Sequence, residues 1–165
     1  MPRFLAGSQY SDTLTRMPQL RDVAPVKRSA AETQAAIERF FLSLEGADGV
    51  ARLRLRVPAG SSGHGISLDR EVRVEARAVH QSNGAPGVIE IVWMPEGTGI
   101  FPRFDGTLIV TGFGNSDASF IELDGIYTPP FGAAGQVFDA AIGRQIARST
   151  AREFLKDLKA AVEKA

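Results

Sequence analysis

Apolar and polar residues in this chain recur with two periods: about four at each of two helical stretches, and two in most of what lies between. The first helical stretch opens at Ser29-Ala-Ala-Glu32. That is a capping box, in which the serine hydroxyl accepts from an amide three residues on and the glutamate reaches back. Ile37, Phe40, Phe41 and Leu44 follow at i, i+3, i+4 and i+7, one apolar face. The pattern predicts a short helix over about 30–45, with Gly46 as its left-handed stop.

The period then drops to two. Ala51, Leu53, Leu55 and Val57 alternate with Arg52, Arg54 and Arg56. Val72, Val74, Ala76 and Ala78 alternate with Glu71, Arg73, Glu75 and Arg77. If these two strands pair, the arginines sit beside Glu71 and Glu75 on a solvated face. Val88–Met94 is apolar on both faces except at Glu90, as expected of a central strand. Thr107–Phe113 and Ala118–Tyr127 are two further strands, joined by a Gly114-Asn-Ser-Asp117 turn. Short polar connections of this kind imply an antiparallel sheet. That gives five strands, plus a further edge strand around Leu20–Val26. Residues 1–28, broken by Pro18 and Pro25, are expected to be an N-terminal extension or to hold that first strand.

The second helical stretch is long, about 135–162. Phe138, Ile142, Ile146, Thr150, Phe154, Leu158 and Val162 trace its apolar stripe, and Val137 and Leu155 widen it. Asp139, Arg144, Arg148, Arg152, Lys156, Lys159 and Glu163 occupy the other face.

Composition narrows the function classes. The 165 residues fit one domain. There is no cysteine, so disulfides, thiolate metal sites and cysteine nucleophiles are excluded. Nineteen basic residues balance nineteen acidic ones, without the basic surplus of a nucleic-acid binder. The apolar start, Met1–Ala6, is too short for a signal peptide, and no run is long enough to span a bilayer. A cytoplasmic protein is expected. His64 and His80, 16 residues apart without a patterned carboxylate cluster, predict no metal site. Gly112-Phe-Gly114 precedes a strand rather than a helix, so it is no dinucleotide fingerprint, and Gly60–Gly65 lacks the lysine of a phosphate loop. No cofactor is expected.

Several segments resemble a recurring series in bacterial members of the START-like (SRPBCC) superfamily. They are Val92-Trp93, Ile100-Phe101-Pro102, Asp105–Val110, Leu123-Asp-Gly-Ile-Tyr-Thr-Pro-Pro-Phe-Gly132, Phe138-Asp139 and Ile146–Leu155. The resemblance covers about residues 30–163 and is densest from 92 onward. It implies an α+β helix-grip fold: a curved antiparallel sheet of about six to seven strands wrapped around the C-terminal helix. It also implies a deep pocket between the concave face and that helix. Members of the superfamily bind lipids, steroids, polyketides and aromatic compounds, while others are cyclases, dehydratases or chaperone activators. Fold alone does not choose among these.

Parity assigns the expected pocket wall. If Glu90 points to water, Ile89, Ile91 and Trp93 point inward, as do Ile121, Leu123, Gly125 and Tyr127. Phe101 and Phe104 lie on an irregular stretch nearby, and Phe138 and Ile142 come from the helix. Together they suit an apolar ligand; the alternative is a solid core. His80 shares the inward parity of Ala78 and is a candidate base or ligand partner, or else a solvated strand end. Glu122 and Asp124 fall on the outer face, where an acid–base role is disfavoured. Arg103 and Asp105 either orient a ligand group or form a loop ion pair. Three functions follow: carriage of a small hydrophobic ligand, lyase-type chemistry through His80, Tyr127 or Asp105, and a partner or dimer surface on the convex side. That last surface would use Val88, Val92, Met94, Phe120 and Ile126.

Overall fold

In a computed structural model, residues 19–59, 66–79, 87–96, 103–114, 116–128 and 140–165 are described, without the side chains of 57–59, 66–70 and 140–143. Eight elements follow one another: β1 (Gln19–Val26), α1 (Ala30–Ser43), β2 (Ala51–Ala59), β3 (Ile66–Val79), β4 (Gly87–Pro95), β5 (Arg103–Gly112), β6 (Ser119–Thr128) and α2 (Ala140–Lys164). The strands form a single sheet of order β1-β6-β5-β4-β3-β2, antiparallel throughout. Consecutive strands pair, as short connections favour. β1 departs from this rule and crosses over to β6. Its place at the edge tolerates Pro25, which has no amide hydrogen to give a second neighbour.

α2 packs against both β1 and β2, the two edges of the sheet. The sheet therefore curls around the helix, which is the helix-grip arrangement. The expected stripe faces inward: Thr150, Phe154, Leu155, Leu158 and Val162 are buried, with Ala147 and Ala151 filling the close approaches. Arg144, Arg148, Arg152 and Lys156 are exposed. An Arg152–Asp22 ion pair at 3.7 Å ties the helix to β1.

α1 lies on the same concave side. Its capping box is formed, with the Glu32 amide donating to the Ser29 hydroxyl oxygen at 3.4 Å and the Ser29 amide to Glu32 at 3.1 Å. Thr33 and Ser119, both buried, share a hydroxyl hydrogen bond of 2.8 Å that fixes α1 to β6.

The structure corrects three expectations. Gly46 is not the left-handed stop of α1. Leu44 stays right-handed (φ −83°, ψ −13°), and the left-handed residue is Gly49 (φ 71°). The reason is that Glu45 already bridges to Ala51, so the tight reversal falls inside the 46–50 turn. Phe104 lies in regular β5, paired with Trp93 and Tyr127, not on an irregular stretch. Arg103 and Asp105, expected on a loop, lie in that same strand. The C-terminal helix lies where it was expected, observed from Ala140 to Lys164, and residues 135–139 of the expected span lie outside the described residues.

Candidate functional site

The inner wall is built by four cross-strand partners. Val74, Trp93, Phe104 and Tyr127 occupy one row across β3, β4, β5 and β6. All four are at most 4% exposed. Trp93 stacks on Phe104 with ring centroids 4.3 Å apart and planes 22° from parallel. Phe154 from α2 tilts against Trp93 with ring centroids 5.4 Å apart. Beneath the Phe104 ring, Gly106 and Gly125 face each other. A Cβ on either would come within 2.8 Å and 2.7 Å of Phe104 Cζ, and within 2.6 Å of the opposite backbone. Both positions take glycine because the end of that ring and the opposite backbone leave no room for a Cβ.

Two buried polar atoms in this interior have no hydrogen-bond partner among the described residues: Trp93 Nε1 and Thr150 Oγ1. The tyrosine hydroxyl of Tyr127 is held neutral to higher pH than usual. Burial is the main cause, and Arg144 and Arg148 of α2 act against it.

Beside the wall is an open cleft of about 430 Å³ between α1 and the inner faces of β2, β3 and β4. Phe41, Val74, Ala76, Ala78 and Ile89 form its apolar part, and Glu38 and Glu45 stand on its α1 side. The cleft exists because β3 places alanines at 76 and 78, where a longer residue would reach α1. Val74 belongs both to the lining of the cleft and to the Trp93 row.

Of the residues expected to line a pocket, Trp93, Phe104, Leu123 and Tyr127 meet on one wall. Ile142 lies in α2, but its side chain is outside the described residues, as are Phe101, Phe138 and His80 altogether. Asp105 and Arg103 pair at 3.5 Å, both exposed, on the opposite face of β5 from Phe104. They are therefore not placed to touch a ligand inside. Glu122 pairs with Arg21 at 2.7 Å, and Asp124 accepts from Gln19 at 3.0 Å, which spends both on structure. Among the described residues no cluster of histidine and carboxylate could hold a metal ion, and no helix is long and apolar enough to cross a membrane. Sequence reasoning missed the cleft and the unpartnered Thr150. Alanines at two successive inward positions were the available signal for the cleft; nothing in the sequence distinguishes Thr150 from a filler of the stripe.

The architecture is a helix-grip fold. The chain is similar in structure to a conserved protein from Geobacillus kaustophilus (TM-score 0.51, 9% identity, 89% of this chain and 96% of that one). It is similarly related to human STARD10 (TM-score 0.51, 11% identity, 88% of this chain and 63% of that one). An aromatase/cyclase from Streptomyces sp. R1128 also matches (TM-score 0.49, 11% identity, 90% and 93%). At such identities the likeness is one of fold. No protein-family model matches the chain, and neither does any curated protein.

Proposed function

We propose that this protein binds a small hydrophobic molecule on the concave side of its sheet, with the α1 cleft as mouth and the Trp93–Phe104–Tyr127 row as inner wall. The observation that carries this is the cleft itself. Its volume of about 430 Å³ lies in the range of ligand sites, roughly 300–1,000 Å³, and its floor is apolar. The START-like fold supports the same reading, since the resemblance implies a ligand between sheet and helix. Glu38, Glu45 and Glu75 supply the polar part of the cleft's lining.

The chain has one tryptophan, and it stands in the wall. Its fluorescence should respond to lipids, steroids or aromatic polyketides titrated into the protein. A ligand at a hundredfold excess over Kd should raise Tm by about 5–10 °C. Ala76→Phe, placed in the open cleft, should weaken binding at least tenfold and leave Tm of the free protein within about 2 °C. If no compound class shifts Tm or fluorescence, the ligand reading is wrong.

The convex face favours a second role as a partner surface. Both helices pack on the concave side, and Val23, Phe113 and Ile126 are 46%, 54% and 41% exposed on or beside the outer face. Val88, Ile109 and Phe120 are half-buried in adjoining strands. Phe113 meets Phe120 edge to face at 4.6 Å. Light scattering across a concentration series decides whether this face joins two copies. A monomer at every concentration rules out the dimer.

A further inference from the structure

The cleft between α1 and β2–β4 carries charge of one sign. Glu38 of α1 and Glu45, just past the helix end, both line it, as does Glu75. No lysine, arginine or histidine is among the described residues of that lining. Glu75 is engaged by Arg73 at 3.2 Å. The other two are not neutralised. Glu38 Oε1 accepts from Gln34 Nε2 at 3.2 Å, while Glu38 Oε2 and the Glu45 carboxylate have no partner among the described residues. Gln34 is itself seated on Gly87, where a Cβ would collide with its amide, so the Glu38 side chain is held in place. Nearby cations are turned aside. Arg52 is taken by Asp48 at 2.8 Å, and Arg39, one residue after Glu38, stands about 100° round the helix.

The backbone adds to the same sign. α1 ends at the cleft, with Phe41 and Leu42 in the lining, and its last turn holds no basic residue. The negative end of its dipole is therefore uncompensated there. Next to these charges is apolar surface that favours a cover: the floor of Ala76, Ala78 and Ile89, and Leu42, which is 65% exposed. The space is open, so a charged group beside the carboxylates keeps part of its hydration, and the cost of burying an ion in a dry interior is largely avoided. Deepening the ligand reading above, and resting on it, we infer that the cleft selects an amphipathic cation. Its apolar or aromatic body lies on the β3–β4 floor, and its protonated amine or quaternary ammonium meets Glu38 and Glu45. The same charges reject apolar carboxylates.

The test uses three probes with one aromatic body and different heads: naphthylmethylamine, naphthalenemethanol and naphthylacetic acid. Affinities are measured calorimetrically on the full chain at neutral pH and low salt. The amine should bind about tenfold more tightly than the alcohol, the worth of a hydrogen bond between charged groups at a half-exposed site, and the acid more weakly than the alcohol. A Glu38→Gln/Glu45→Gln double variant should lose the preference and keep its affinity for the alcohol. In wild-type protein the preference should also shrink as salt is raised, a readout that holds even if the double variant does not fold. Equal binding of amine and alcohol overturns the cation reading while leaving the ligand reading intact. A preference that survives the double variant, or that salt does not reduce, overturns it as well. If none of the three probes binds, the ligand reading falls, and the cation reading with it.

Discussion

Gly106 and Gly125 show how little freedom the wall leaves. With the Phe104 ring and the opposite backbone both under 3 Å from any added Cβ, Gly125→Ala must push the ring or part the strands. Overpacking of this kind costs about 1–3 kcal/mol, to be read from urea unfolding. At the other side of the molecule, Arg52 holds Asp48 at 2.8 Å and keeps its carboxyl at about 2, below the usual value of 3.8. The folded pKa is depressed, so the stability it gives is present above the unfolded pKa and is lost as pH falls from about 4 toward 2. Asp48→Asn should flatten unfolding free energy across that window. Tyr127 behaves in the opposite sense. Burial raises its pKa above 10, so it contributes nothing adverse at neutral pH and destabilises the fold as pH rises beyond 10. In a Tyr10→Phe background, absorbance of the remaining tyrosine should titrate above 10.

At the scale of elements, α1 depends on its first turn. Ser29→Ala removes the cap and should cost about 1 kcal/mol in chemical denaturation. Its period and cap were legible in the sequence because both are local. Its end was not, since the bridge from Glu45 to Ala51 decides where the chain reverses. α2 presents a contrary case. Its stripe was legible from Ile146 to Val162, yet the same pattern treats Thr150 as filler. With its hydroxyl unsatisfied, Thr150→Val should leave the free protein equally stable or up to about 1 kcal/mol more stable, measured by thermal unfolding. A substantial loss of stability would mean that the hydroxyl is satisfied in the free protein.

At the scale of the whole molecule, the alternation in β2 to β6 determined which residues face the helix. Trp93, Leu123 and Tyr127 are buried and Glu90 is exposed, as period two requires, because a strand offers only two faces. The sequence by itself therefore determined the elements and their faces, which depend on neighbours a few residues apart, while the helix-grip class was implied by the resemblance of its motifs. It did not determine that β1 crosses to β6, that α1 stands off β3 to leave a cleft, or that Phe104 lies over two glycines. Those follow from which strands meet and how closely the helices approach. The same is true of Trp93 Nε1: that it is a donor is in the sequence, but that it lacks a partner among the described residues was decided only when β4 and α2 closed around it.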